Sequence, residues 1–143
     1  MMNYLYFRVG GATATEDDEA TGSNIYPVSH FLGACSGTSD ANGAITDDDN
    51  AVSLFLKPIR KTQTQEDNAG DADPDVIVLA CAQYGQKTLL KKLIKAVNEK
   101  SSVAQDNTLI TLFDGYADKP ADDPTSDIGA TGITVVAAQA AAD

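Results

Sequence analysis

The 143-residue chain has no tryptophan, one histidine and two cysteines, and carries 10 basic against 21 acidic side chains. Each shortage removes a class of chemistry. With His30 as the sole imidazole, a serine or cysteine nucleophile has one possible base, and a zinc site lacks its usual nitrogen ligands. Alternation along the run from Ile25 to Ala34 puts His30 on the strand face of Val28 and Leu32, where a hydrogen-bonded structural histidine is expected. Cys35 and Cys81 each sit in an apolar run with no Cys-x-x-Cys partner, so two buried free thiols are expected rather than a disulfide framework. The formal charge of −11 opposes binding to phosphate backbones. No apolar run approaches the roughly 20 residues of a membrane-spanning helix. The opening "MMNYLYFRVGG" lacks a basic n-region and reads as a strand rather than a signal peptide.

What is present is enough for a folded core: 43% of the residues are hydrophobic, and residues 1–143 are expected to form one domain. Acidic, turn-rich loops fall near 11–24, 37–50, 61–75 and 114–127. Between them lie strand-like runs. Leu5, Phe7 and Val9 alternate with Tyr4, Tyr6 and Arg8; an edge strand is expected to start at or after Pro27; and Val52, Leu54 and Leu56 share one face of a run ending at Pro58. Val76–Cys81 is apolar at every position, as in a central strand covered on both faces. Thr108–Phe113 and Thr131–Ala137 complete about six strands. The one clear helical period follows Gly85: Leu89, Leu90, Leu93, Ile94 and Val97 fall in an arc of about 140° at 100° per residue and are expected to dock.

Several motifs resemble sites without meeting their requirements. "GQKT" at Gly85–Thr88 sits between a strand and a helix, but a phosphate loop needs G-x-x-x-x-G-K-[ST], and here Gln86 separates glycine from lysine. Gly85 is therefore expected to be a helix N-cap or breaker. "GACSG" places Ala34, not glycine, two before Ser36, and so fails as a nucleophile elbow. Asp71, Asp73 and Asp75 have the spacing that opens a calcium loop, but Val76 and Ala82 occupy its glycine and bidentate-acid positions, which rules out an EF-hand. A looser calcium site from Asp67, Asn68, Asp71, Asp73 and Asp75 remains the one metal candidate. Lys87, Lys91, Lys92 and Lys95 lie on the helix with Lys100 beyond, and no aromatic is interleaved among them for base stacking. They form a candidate partner face for a neighbouring copy's acidic loops or, less in keeping with the net charge, for nucleic acid.

The order "NYLYFRV", "YPVSHFLG", "SLFLK", "VIVLACAQYGQKTLLKKLIKAVN" and "TLITLFD" resembles small proteins of marine cyanophage origin that look like Sm-type β-barrels assembling as rings. That resemblance implies a small barrel, a homo-oligomer, a viral setting and no catalytic residues to carry over. The expected fold is α+β and mainly β: a small barrel or sandwich of about six strands, Sm-like or similar, with one amphipathic helix packed on it. The expected function is that of a non-enzymatic phage structural protein, virion or capsid-associated, that binds itself or other virion proteins and needs no cofactor. Its place would be the virion or the infected-cell cytoplasm. The alternative is an Sm-like ring that binds nucleic acid through the lysine face.

Overall fold

The computed structural model describes residues 3–11, 23–40, 44–58, 74–102, 108–116, 119, 121 and 124–137. Nine strands and one long helix are found among them, in the order β1 (Asn3–Gly11), β2 (Ser23–Pro27), a 3-10 turn (Val28–His30), β3 (Phe31–Ser36), β4 (Thr38–Ser39), β5 (Ile45–Thr46), β6 (Ala51–Leu56), β7 (Asp75–Ala80), α1 (Gln86–Ser102), β8 (Thr108–Tyr116) and β9 (Gly132–Ala137). The described residues are mostly β with one long helix, as the alternating runs predict. The strands form three sheets, ordered β2-β1-β8, β3-β6-β7-β9 and β4-β5, and none closes into a barrel among the described residues.

One apolar core joins both larger sheets and the helix. Leu5 and Phe7 from β1, Ile110 and Leu112 from β8, Val52, Leu54 and Leu56 from β6, and Ile77 and Leu79 from β7 meet Leu89, Leu93 and Ala96 of α1. The period-2 pattern accounts for this directly, since every second residue of β1 and β6 points inward. β7 lies between β6 and β9 and is buried on both faces, as its uniformly apolar run predicts. Its outer face packs Val76 and Val78 with Ala51 in a second, smaller cluster.

The edge strand expected after Pro27 is β3, reached through the 3-10 turn, while Pro27 itself ends a further edge strand, β2, that the alternation does not set apart. Three expectations need correction. Because Val28–His30 is a turn, His30 shares no strand face with Val28 and Leu32. The docked face of α1 is rotated away from Ile94, which is 60% exposed, toward Ala96. Leu89, Leu93 and Ala96 span only about 60° of arc, with Leu90 and Val97 beside them, and Ile94 falls about 140° from Leu89. Finally, Cys81 is buried but Cys35 only half-buried; both are free thiols.

Asp75–Phe113 does form strand, helix, strand, but its two strands lie in different sheets. β7 belongs to the four-stranded antiparallel sheet, while β8 runs parallel to β1 in the other. The helix therefore bridges two layers and is not the crossover of a parallel unit. A bulge where Phe7 pairs with Phe113 leaves Leu112 as the extra residue of β8 and brings Arg8 opposite Asp114. Near this irregularity a Cβ at Gly115 would run into the carbonyl oxygen of Val9, so the close approach of the two strands requires glycine there.

Candidate functional site

The helix presents its lysines outward, as its period predicts. Lys87, Lys91, Lys92 and Lys95 are all exposed, and Ile94 stands among them. Beside Ile94 lies an apolar groove of about 120 Å³, lined by Leu5, Val28, Phe31, Leu93, Val97 and Asn98. The 3-10 turn that forms its far wall is tied to the end of β6. The Lys57 amide donates to the His30 carbonyl (2.7 Å), and the His30 Nδ1–H donates to the Lys57 carbonyl (2.9 Å). His30 thus serves a structural hydrogen bond.

A second feature gathers at the N-terminus of α1. Gly85 caps the helix with its carbonyl, which accepts from the Leu89 amide. The acidic turn after β5 packs here. The Gln86 side-chain amide donates to the Asp48 carbonyl, the Gln83 amide to an Asp49 carboxylate oxygen (2.7 Å), and the Tyr84 backbone N–H to the Asp49 carbonyl (2.6 Å). Asp47, Asp48 and Asp49 therefore lie at the end of the helix where its dipole favours negative charge. They line an open pocket of about 320 Å³ with Ser36, Gly37, Gln86 and Tyr84. Tyr84 is 77% exposed and holds a left-handed backbone, φ 59°.

The turn is positioned by a serine that sequence reasoning passed over. Ser53, in the middle of β6 and fully buried, donates through Oγ to the Gly37 carbonyl (2.8 Å) and accepts from the Ser39 amide (2.9 Å), which pins the β4-β5 hairpin onto the sheet. Gly37 has φ +103°, and a Cβ there would meet the Thr46 carbonyl at 2.7 Å. A lone serine in an apolar strand signals such a bond only weakly.

A third feature has no counterpart in the sequence reading. Arg8 and Asp114, 106 positions apart, form a two-pronged ion pair, with Nε to Oδ1 at 2.8 Å and Nη2 to Oδ2 at 2.9 Å. The guanidinium also lies 4.4 Å from the centre of the Tyr116 ring. Burial raises the pKa of the Asp114 carboxyl, but the hydrogen bonds from Arg8 and from the Tyr116 amide outweigh this and hold it below the ordinary aspartate value. The pair borders a cavity of about 420 Å³ lined also by Tyr6, Leu109, Thr111, Pro124 and Asp127. The Asp127 carboxylate accepts from the Thr111 amide (2.8 Å). The parallel pairing of β1 with β8 brings Arg8 and Asp114 together, and the segment after β8 adds Pro124 and Asp127.

Of the calcium candidates, Asp67, Asn68, Asp71 and Asp73 lie outside the described residues. Asp75 is in β7, fully buried, and accepts a 2.7 Å hydrogen bond from the Tyr26 hydroxyl, so it faces the core rather than a loop. No cluster of three metal-ligating side chains occurs among the described residues. Lys100 is part of α1. No described helix is long and apolar enough to cross a membrane. Compared with protein-family profiles, curated proteins and solved structures, the chain matches none.

Proposed function

We propose that this protein is a non-enzymatic structural component of a phage particle that works by binding copies of itself or neighbouring particle proteins through side-chain surfaces. The observation that carries this reading is the presence of an apolar groove on α1, beside exposed lysines, together with a separate acidic turn that has the exposed Tyr84 beside it. Such complementary patches on a rigid frame suit protein docking.

The condition of the strand edges favours side-chain docking over sheet extension. On β2 the Ile25 amide is occupied by the Asn24 side chain (2.9 Å), and Pro27 has no amide hydrogen. On β8 the segment around Ser126 takes the outer groups: the Asp127 amide donates to the Thr111 carbonyl, the Asp114 amide to the Thr125 carbonyl, and the Ser126 hydroxyl to the Leu112 carbonyl. On β3 a bulge turns out Leu32, the residue left between Phe31 and Gly33 in the pairing with β6. The phage setting, and any barrel-like ring of the Sm type, rest on the resemblance alone.

Mass spectrometry of purified particles tests the reading: the chain should be present in defined copy number, and its absence would remove the structural role. The exposed lysines support a second reading, in which the helix face binds nucleic acid. That reading requires nucleic acid to copurify and added oligonucleotide to shift the protein, with an affinity that falls steeply as salt rises.

A further inference from the structure

We infer that the groove beside Ile94 is the socket for the acidic hairpin of a second copy of this chain, so that the protein associates head to tail; the inference rests on the self-association proposed above. The socket is apolar at its floor, with Leu5, Phe31 and Leu93, and Ile94 stands 60% exposed on its rim. Its surroundings are basic. Lys87, Lys91 and Lys95 lie on the same side of α1, within about 100° of Ile94 in the helical projection, and Lys57 is exposed beside the 3-10 turn on the other wall.

The hairpin has the reverse composition. Ile45 is 45% exposed at the start of β5 and is followed directly by Asp47, Asp48 and Asp49, with Tyr84 standing out beside them. An apolar groove bordered by positive charge thus has, on the same molecule, a partner surface in which an exposed apolar side chain is followed directly by three acids. On a chain of net charge −11, where copies repel at a distance, this local complementarity is what would overcome the repulsion and set the register. The two surfaces are different patches, so the contact is heterologous and continues into a closed ring or an open filament.

Asp48 and Asp49 are partly occupied within their own chain, by Thr38, the Asn50 amide and Gln83, which ties the turn down; Asp47 is exposed. A turn already ordered in the free protein loses little entropy on docking.

The test is complementation between two full-length variants, followed by sedimentation and light scattering. Ile94→Asp disables the socket and leaves the hairpin; the combination Ile45→Ser with Asp47→Lys does the reverse. The wild-type chain should associate at low salt and dissociate as salt rises. Ile94→Asp should raise the dissociation constant roughly 30-fold or more, as loss of a central contact does. Lys91→Glu, a polar exchange on an exposed helix face, should act in the same direction and guards against misfolding of the first variant. Each disabled chain alone should be monomeric, and an equimolar mixture should give a discrete heterodimer, because one good socket and one good hairpin remain. A wild-type assembly that survives Ile94→Asp and Lys91→Glu would overturn the socket while leaving self-association intact. A wild-type chain that stays monomeric at every salt and concentration would overturn both.

Discussion

Tyr26 and Asp75 form a hydrogen-bonded polar pair inside the core. The tyrosine hydroxyl donates to a fully buried carboxylate at 2.7 Å, and burial, then the bond to Asp75, push the tyrosine pKa far above its ordinary 10.0. A raised folded-state value favours the protonated ring, so its contribution is complete below pH 10 and is lost as alkali ionises the unfolded chain first. Tyr26→Phe should cost about 1–3 kcal/mol at neutral pH, the usual penalty for withdrawing a buried partner. Denaturant titrations should show the gap between wild type and variant narrowing above pH 10. Arg8 and Asp114 have the opposite sign. Because the Asp114 value is lowered, its contribution is present above the ordinary 3.8 and is lost as pH falls through the lower folded value. Both side chains are largely buried, 17% and 7% exposed, so Arg8→Ala should cost about 3 kcal/mol at pH 7 by stranding the carboxylate. It should also flatten the acid limb of the stability profile.

At the scale of the element, α1 divides sharply between neighbours in sequence. Leu93 is in the core and Ile94 outside it, though both are large aliphatics in one apolar pair. Leu93→Ala should destabilise the protein by about 2–5 kcal/mol, whereas Ile94→Ala should stay within about 0.5 kcal/mol. Chemical denaturation of the two variants checks the rotation of the docked face: equal losses would mean that the helix is seated on the wider arc. The strand edges allow a different measurement. Replacing Asn24 with Ala and Pro27 with Thr frees one edge amide and restores another on β2, and should speed aggregation on mild heating, read by scattered light. Unchanged scattering would show that other parts of the chain guard that edge.

At the scale of the whole molecule, the charge is uneven in a way that the total conceals. The sequence holds 21 acids against 10 bases, yet five of those bases are gathered on one helix and three consecutive acids sit at its N-terminus. The fold therefore carries a basic face and an acidic cap in a molecule that is strongly negative overall. Salt should act in two ways, weakening attraction between complementary patches while also screening the general repulsion. Measured association should fall as salt rises, because the complementary patches hold the copies together; a rise with salt would mean that apolar contact dominates instead.

Much of the fold was legible in the chain itself, because local period determines which side of a strand or helix is apolar. The inward faces of β1 and β6, the buried run of β7, the helix after Gly85 and the outward lysines all follow from spacing within a few residues. Pairings distant in sequence were not legible. Arg8 meets Asp114 across two paired strands, Tyr26 meets Asp75 between the two larger sheets, and Ser53 holds the hairpin onto β6, and nothing in their local spacing specifies which strand finds which. The seating of α1 was decided at the same level. Five aliphatics offered a wide face, but two sheets converging on one core leave room for a narrow one; the core took Ala96 where space is tight and left Ile94 outside. The sequence alone determined what each element could bury, and the tertiary structure decided what was left over to bind something else.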